Sequence, residues 1–368
     1  MPAALSKAKV DAREKELKIP NEQKAAICRE KGGKVTIENA PIRSNELKRG
    51  EALVRLIYSG VCHTDLHAIL GDWPIDAKMP LIGGHEGAGV VVALGEGADE
   101  FVKKGDRVGI KWIADSCLKC DFCRRGHEPN CPDAQCSGYT WDGTFQQYAV
   151  ASARHLSHIP DGLDLESASP LLCAGVTVYR AVKEAKLLPG NDVVIIGSGG
   201  GLGHLAVQYA SNAGARVIGI DTGSEKEKLS IQLGCEKFID FQKEKDLVQA
   251  VKEASSDGHG PHAAIVAASS PKAYEQALDY LRPRGTLVVV GLPVTDIKAN
   301  VFWTVFKSLN IVGSYVGNRQ DAQEALDIAA RGKVKAIYKT LGLSDLPQVY
   351  DDMHHGKIAG RIVLDLDK

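Results

Sequence analysis

The chain has 368 residues and a formal net charge of -1, from 45 basic and 46 acidic residues. This length suffices for two domains of ordinary size, and the balanced charge excludes the basic surface that nucleic acid or an anionic membrane requires. No segment approaches the roughly 18 consecutive apolar residues of a membrane-spanning helix, and the start lacks the apolar core of a secretory signal. A soluble, cytoplasmic protein that acts on small molecules is therefore predicted.

The first 173 residues divide by composition into an extension and a β-rich domain. Residues 1–24 mix charged residues with scattered alanine and leucine, which predicts a surface extension with little to bury. A mitochondrial targeting segment is the alternative, but such segments are poor in acidic residues, and Asp11, Glu14 and Glu16 lie here. Across residues 25–173, short apolar runs such as 52–58 alternate with glycine and proline, a pattern typical of β-structure.

Residues 174–314 have a different sequence pattern. Strand-like runs alternate with helical stretches such as 202–212; the runs are at 192–196, 216–220, 263–267 and 286–290. This alternation predicts βαβ units and a doubly wound parallel sheet of the Rossmann type. The remaining residues, 315–368, contain a predicted helix at 319–330 and a closing strand at 360–365 that we expect to return to the first domain. The predicted fold class is therefore α/β.

A glycine-rich turn, GSGGGLG at residues 197–203, lies where the first of these strands ends and a helix begins. Backbone amides and the helix dipole at such a position suit a pyrophosphate. The next strand ends at Asp221, whose carboxylate can accept hydrogen bonds from an adenosine ribose and would repel a 2′-phosphate. The spacing departs from the ordinary G-x-G-x-x-G, and a glycine turn without a cofactor is the alternative. The combination of strand, turn, helix and Asp221 favours NAD.

Four of the nine cysteines lie close together in one short segment, at Cys117, Cys120, Cys123 and Cys131. Four thiolates fill the tetrahedral shell of zinc and leave no open position, which predicts a structural zinc site. Disulfides are the alternative, but clustered cysteines in a long chain without a secretion signal favour metal binding in a reducing compartment.

A second set of ligands, Cys62, His85 and Cys173, leaves the fourth zinc position open for water or substrate. A cation stabilises the alkoxide of a bound alcohol, and an alkoxide is a better hydride donor than an alcohol. Together with the nucleotide turn, this set predicts a metal-dependent dehydrogenase in which NAD accepts the hydride. The pair His85-Glu86 also begins the H-E-x-x-H motif of metalloproteases, but Gly89 occupies the last position and the flanking glycines argue against a helix.

These motifs together closely resemble the zinc-dependent alcohol dehydrogenases of the medium-chain dehydrogenase/reductase superfamily, in particular the yeast and fungal ethanol dehydrogenase branch. The resemblance begins at about residue 24 and is most specific at YSGVCHTDLH (58–67), GGHEGAG (83–89), CAGVTVY (173–179) and IVGSYVGNR (311–319). The same branch has the longer glycine turn. The resemblance implies a GroES-like catalytic domain before the Rossmann domain, two zinc ions per chain and a homotetramer.

The resemblance also implies roles for single residues around the catalytic zinc. Cys62, His85 and Cys173 would be its ligands, with Glu86 as a transient ligand and Asp65 as the residue that orients His85. The four clustered cysteines would hold the structural zinc.

Further roles implied by the resemblance concern the substrate proton and the cofactor. Thr64 would hydrogen-bond the alcohol, and His67 would end the relay that passes its proton through the nicotinamide ribose to solvent. The implied NAD contacts are His63, Gly200, Gly201, Leu202, Asp221, Lys226, Phe241, Val290, Leu292, Ser314, Val316 and Arg361.

Trp73 and Trp112 match the aromatic walls that narrow the family's substrate pocket, although both could also be ordinary core residues. The implied reaction is the reversible, NAD-dependent oxidation of small primary alcohols of the ethanol type to aldehydes, by hydride transfer from a zinc-bound alkoxide. One alternative is the same chemistry on bulkier aliphatic, allylic or aromatic alcohols. Two others are a zinc-free quinone or enoyl reductase, disfavoured by the complete ligand set, and a zinc-binding nucleic-acid module, disfavoured by the net charge.

Overall fold

A computed structural model describes residues 19–44, 46–293, 295–355, 357–358 and 360–368. The predicted extension therefore lies, apart from its last residues, outside the described part of the chain. Two compact units are present. One runs up to Cys173 and also contains Asn318–Arg331 and Tyr338–Lys368, whereas the other consists of Ala174–Gly317 and Gly332–Ile337. Within the described ranges, no helix combines the length and the apolar composition needed to cross a membrane.

The strands of both units follow one another along the chain with these bounds: β1 (Glu22–Cys28), β2 (Val35–Pro41), β3 (Glu51–Val61), β4 (Leu81–Ile82), β5 (Gly87–Leu94), β6 (Arg107–Ile110), β7 (Ile113–Asp115), β8 (Gln135–Cys136), β9 (Tyr148–Ser152), β10 (Ser157–His158), β11 (Asp192–Ile196), β12 (Arg216–Asp221), β13 (Cys235–Asp240), β14 (Ala263–Val266), β15 (Thr286–Val289), β16 (Asn310–Gly313), β17 (Tyr338–Gly342) and β18 (Arg361–Asp365).

The α-helices have these bounds: α1 (His63–Leu70), α2 (Asp121–Arg124), α3 (Leu165–Ala168), α4 (Ala174–Glu184), α5 (Gly203–Asn212), α6 (Ser224–Leu233), α7 (Leu247–Ala254), α8 (Pro271–Tyr280), α9 (Val301–Phe306), α10 (Arg319–Ala330) and α11 (Leu346–His354). Short 3-10 helices lie at Ala98–Glu100, Glu128–Asn130, Ala153–His155, Ser169–Leu172 and Leu343–Asp345.

The first unit is built on a seven-stranded sheet in the order β10-β6-β5-β3-β18-β17, with β9 also paired to β3. Ser59 of β3 lies opposite Gly87 of β5, and Val61 of β3 lies opposite Ile362 of β18. Because antiparallel neighbours run in opposite directions, the carboxyl end of β3 lies beside the amino ends of β5 and β18, at one end of the strands. Buried apolar side chains, such as that of Leu56 in β3, pack these strands into the core of the unit.

The second unit is a six-stranded parallel sheet in the order β13-β12-β11-β14-β15-β16. Numbered from β11, this order is 3-2-1-4-5-6, the strand order of the Rossmann fold. Every residue of β11 and of β14 is buried, which explains why β14, and β11 after its first residue Asp192, are apolar without alternation. The strand order reverses between β11 and β14, and such sheets bind ligands at the carboxyl ends beside that point.

The predicted α/β class and many predicted elements are confirmed. β11 and α10 have the predicted bounds, and α5 begins one residue later than predicted. The residues after Cys62, for which no element was predicted, form α1. Asp65 explains this, because its carboxylate accepts the N–H of Cys62 and thereby caps the first turn.

Candidate active site

Four side chains that can bind a metal meet beyond the carboxyl end of β3. Atoms of Cys62, His85, Glu86 and Cys173 lie within 4.8 Å of one another. Cys62 follows β3, His85 and Glu86 precede β5, and Cys173 follows the 3-10 helix Ser169–Leu172, which packs against both strands. The three predicted catalytic ligands therefore come together from distant parts of the chain. Two sulfurs, an imidazole and a carboxylate are a donor set that suits zinc.

Asp65 holds two of these ligands with one carboxylate. Its Oδ2 accepts the backbone N–H of Cys62 at 2.8 Å, and its Oδ1 lies 2.7 Å from Nδ1 of His85. A carboxylate oxygen can only accept, so Nδ1 of His85 carries the hydrogen, and in the neutral ring Nε2 keeps its lone pair. Nε2 lies 3.2 Å from the Cys173 sulfur. Asp65 thus presents His85 in the tautomer that a metal ligand needs, as the sequence resemblance predicted.

The electrostatics of the cluster favour thiolate ligands. The thiol of Cys173 donates to the sulfur of Cys62, which holds the pKa of Cys62 well below its usual range and raises that of Cys173. Burial opposes protonation of His85, but the Asp65 carboxylate outweighs it and holds the pKa of the imidazole well above its ordinary value. The charged imidazole compensates the anionic sulfur of Cys62 in this buried site, and a divalent cation bound there would displace the Nε2 proton and take over that role.

Glu86 faces the same cluster and is paired on its other side with Arg361. Oε1 accepts a hydrogen bond from Arg361, whereas Oε2 has no hydrogen-bond partner among the described residues. Burial raises the pKa of Glu86 to about 7, against the opposing effect of the Arg361 guanidinium. Gly60 in β3 provides the space, since a Cβ there would lie 1.9 Å from Oε2. A buried carboxylate oxygen without a partner is consistent with the predicted role of Glu86 as an alternate ligand.

The four clustered cysteines form a second site in the first unit. Sulfur separations are 3.9 Å for Cys117–Cys123 and Cys120–Cys131, and 3.5 Å for Cys117–Cys131. A tetrahedral zinc with Zn–S bonds of about 2.3 Å places its sulfurs about 3.8 Å apart. All four thiols are free, and these separations are far longer than the roughly 2.05 Å of a disulfide. The residues therefore fit a closed zinc shell.

Backbone amides and an ion pair support this cysteine cluster. The N–H of Cys120 donates to the sulfur of Cys117 at 3.3 Å, and such donors lower the pKa of Cys117 to about 6. The segment is anchored elsewhere by buried Glu128, which accepts from both the backbone N–H and the side chain of Arg319 at the start of α10. These polar contacts fix the segment that carries the cysteine cluster to α10 of the first unit.

An aromatic wall borders His85. The ring of Trp112 lies 5.0 Å from that of His85, and Trp73 contacts Trp112 edge-on at 6.4 Å. Tyr139 packs against both tryptophans at 5.9 and 5.6 Å and donates its hydroxyl to the carbonyl of Ile75. Tyr139 was not predicted, because no motif in the sequence marks it and its role depends on contacts between distant segments.

Helix α1 carries the residues that were predicted to handle the substrate proton. His63 is exposed at the first helical position, and Thr64 and His67 are partly exposed. Nδ1 of His67 lies 2.9 Å from each carboxylate oxygen of Asp72, a partner that was not predicted. His67 thus lies close in sequence to Cys62, but its ring is held by the segment that follows α1.

The predicted pyrophosphate turn connects β11 to α5 in the second unit. Gly200, Gly201 and Leu202 are partly exposed just before α5 begins. Gly203 has to be glycine, because a Cβ at this position would lie 1.8 Å from the carbonyl oxygen of Gly197. This close approach of strand and helix is the packing that a phosphate-binding turn requires.

Asp221 lies at the carboxyl end of β12, where the sequence analysis placed it. Its carboxylate accepts the N–H of Gly199 at 3.1 Å and pairs with Lys226 at 2.8 Å. Phe241, immediately after β13, donates its N–H to the carbonyl of Asp221 at 3.2 Å. The other predicted contacts in this unit also follow carboxyl ends of strands; they are Val290 and Leu292 after β15, and Ser314 and Val316 after β16.

Comparisons with known proteins agree with this geometry. Residues 48–161 match the family model of the alcohol dehydrogenase GroES-like domain, and residues 201–331 match that of the zinc-binding dehydrogenases. Alcohol dehydrogenase 1 of Neurospora crassa is 53% identical over 96% of this chain and 99% of its own length, and alcohol dehydrogenase 1 of Emericella nidulans is 52% identical over 95% and 99%.

Solved structures are similar as well. The alcohol dehydrogenase of Aeropyrum pernix superposes with a TM-score of 0.84 at 32% identity, over 93% of this chain and all of that one. The acetophenone reductase of Geotrichum candidum, solved in complex with NAD, gives a TM-score of 0.82 at 27% identity, over 95% of this chain and 98% of that one.

Proposed function

Because this chain belongs to the zinc-dependent alcohol dehydrogenases of the medium-chain dehydrogenase/reductase superfamily, we propose that Cys62, His85 and Cys173 hold its catalytic zinc. The observation that carries this assignment is the buried cluster in which Asp65 holds both Cys62 and His85. When bound, zinc supplies a Lewis acid that promotes loss of the alcohol proton, and NAD supplies the hydride acceptor.

The side chains of the first unit have separate tasks in this proposal. The Thr64 hydroxyl hydrogen-bonds the alcohol oxygen, and His67 takes up the proton that the alcohol loses and releases it to solvent. The alcohol would thus lose one proton to water through His67 and one hydride, which a bound NAD would accept, leaving an aldehyde. Glu86, held by Arg361, supports exchange of ligands at the metal. The cysteine cluster at residues 117–131 holds a second, structural zinc, so that we propose two zinc ions per chain.

We further propose that the pocket accepts small primary alcohols, because Trp73, Trp112 and Tyr139 form an aromatic wall beside His85. Trp73→Ala should raise kcat/KM for hexanol relative to ethanol by about tenfold or more, since one methylene of pocket space is worth roughly 1–3 kcal/mol. The measurement is NAD reduction across a series from ethanol to hexanol. Wild-type activity that increases with chain length would contradict the small-alcohol assignment and favour bulkier substrates.

The position of Asp221 supports NAD as the preferred cofactor, because its carboxylate would repel the 2′-phosphate of NADP. Asp221→Gly should shift the NADP/NAD ratio of kcat/KM by on the order of 10², since juxtaposed like charges cost several kcal/mol. Asp221→Asn, which retains hydrogen-bonding atoms but loses the charge, should give part of the shift. An unchanged ratio in both variants would show that the carboxylate does not select the cofactor.

The second unit also supports a homo-oligomer, proposed as a tetramer from the family resemblance. Val301, Phe302, Val305 and Phe306 of α9 are between 65% and 74% exposed, and edge strand β16 pairs, among the described strands, with β15 alone. Exposed apolar patches and unpaired edges of this kind are covered in stable proteins. Sedimentation of a monomer at micromolar concentration would contradict the proposal. We also propose cytoplasmic residence, because all nine cysteines are free thiols, as a reducing compartment would keep them.

A further inference from the structure

The end of helix α1 directs Asp72 against His67. Gly71 adopts a left-handed conformation with φ 64°, and its N–H donates to the carbonyl of His67 at 2.8 Å. This C-cap reverses the chain, and the next residue, Asp72, places both carboxylate oxygens 2.9 Å from Nδ1 of His67. The local fold therefore brings a carboxylate to one edge of the imidazole.

Trp73, the next residue, packs against the face of the same imidazole. The two rings are stacked with centroids 5.4 Å apart and an interplanar angle of 22°. The segment is fixed in turn by Tyr139, which packs against Trp73 with its ring tilted, donates its hydroxyl to the carbonyl of Ile75 and accepts the N–H of Lys78 through its own carbonyl. His67 is thus held at its edge and at its face by two consecutive residues of one anchored segment.

We propose that Asp72 is a positioning residue that fixes His67 in the tautomer with hydrogen on Nδ1 and a free lone pair on Nε2. A carboxylate has only acceptor oxygens, so the contact at Nδ1 requires a hydrogen there in the neutral ring. Nε2 is then the nitrogen that can accept a proton. This inference rests on the proposed role of His67 as proton acceptor and adds the residue that prepares it for that role.

His67 gains one proton and loses one proton in each turnover. Nε2 of neutral His67 accepts one proton from the substrate side, and the ring becomes an imidazolium whose Nδ1–H stays on Asp72. Transfer of the Nε2 proton to water restores the neutral ring. An asparagine at position 72 can present either its oxygen or its amide nitrogen to Nδ1, so the other tautomer, which lacks a lone pair on Nε2, becomes populated. Loss of the correct tautomer in a similar carboxylate–histidine pair is known to be costly for catalysis.

The first test is chemical and does not use turnover. Diethyl pyrocarbonate acylates a histidine nitrogen that bears a lone pair, and peptide mass spectrometry gives the rate at His67 in the full-length protein. At about pH 8.5, well above the ordinary imidazole pKa of about 6.5, Asp72→Asn should slow this reaction about threefold or more, because the fraction of neutral His67 with a lone pair on Nε2 falls. A merely structural effect would loosen the segment, expose the ring and speed the reaction. An unchanged or faster rate would overturn the proposal.

Asp76→Asn is the matched control. Asp76 lies in the same segment, but its carboxylate pairs with Lys31 at the surface, 3.2 Å away, with both side chains more than half exposed. This variant should leave the acylation rate of His67 unchanged. A comparable slowing in Asp76→Asn would mean that any loss of charge in this segment affects the probe, and would overturn the assignment to Asp72.

The second test is a double-mutant cycle on alcohol oxidation. Asp72→Asn should lower kcat by about tenfold, less than the ~10²–10⁴ that the general base itself contributes, and should have no further effect in a His67→Gln background. Additive losses would show that Asp72 acts elsewhere and would overturn the proposal. If His67→Gln retains full activity while Asp72→Asn still slows acylation, the proton-acceptor role of His67 fails and the positioning by Asp72 stands.

Discussion

Replacement of Cys62 by alanine is expected to lower kcat for alcohol oxidation by on the order of 10³-fold or more, since Lewis-acid stabilisation is worth several kcal/mol. The variant loses one of the two sulfurs of the cluster. Asp65 would still accept the backbone N–H of residue 62 and hold His85, but residue 62 would no longer offer a thiolate to the metal. Zinc content should fall from about two to about one ion per chain, because the remaining donors no longer fill a three-ligand site. Elemental analysis and NAD reduction on one preparation measure both quantities.

NAD binding should survive this change, because the predicted pyrophosphate turn and Asp221 belong to the second unit. Titration of NAD against protein fluorescence is the appropriate check. Cys28→Ala is the matched control, since Cys28 is equally buried in the first unit but donates to the carbonyl of Glu30. If the Cys62 variant keeps full activity and both zinc ions, the catalytic assignment is wrong.

Replacement of Cys131 by alanine is expected to destabilise the first unit by several kcal/mol, given that structural zinc contributes about 10–16 kcal/mol of binding free energy in small domains. The segment from Cys117 to Cys131 contains only the single-turn helix α2 and the 3-10 helix Glu128–Asn130. Because it has so little regular structure, we expect its order to depend on the bridging metal. Calorimetry should show a lower Tm, and limited proteolysis should cut within this segment.

The control for the Cys131 variant is Cys136→Ala, which removes a nearby thiol outside the four-cysteine cluster. It should retain the zinc content and protease resistance of the wild type. Equal stability of the two variants would argue against a structural zinc. The catalytic cluster is a separate group of residues, so the Cys131 variant should keep measurable activity at low temperature as long as it remains folded.

The four clustered cysteines could be recognised in the sequence as candidate metal ligands, because their chemistry is carried by residue type and local spacing. Cys117, Cys120 and Cys123 are separated by two residues each, a spacing that already fits a tetrahedral shell. The Rossmann sheet could also be predicted from the sequence. Its strands β11 and β14 are buried on both faces, and apart from Asp192 they consist of apolar residues. In both cases the signal is local.

Residues that act through distant packing could not be predicted in this way. Tyr139 contacts Trp73 and Trp112 only because the fold brings three segments together, and nothing in its own neighbourhood marks it. Asp72 is closer to its partner, but its contact with His67 depends on the left-handed Gly71 that ends α1. The helix α1 itself was missed because its first turn is stabilised by the cap from Asp65 more than by a strong apolar pattern.

Zinc removal and restoration on the wild-type protein test the central claim most directly. The protein is dialysed against a chelator, zinc is returned in measured steps, and ethanol-dependent NAD reduction is followed together with bound zinc. We expect activity to disappear with the metal and to return as the site at Cys62, His85 and Cys173 refills. A metal-free protein that oxidises ethanol at the full rate would contradict the assignment of this cluster as the catalytic centre.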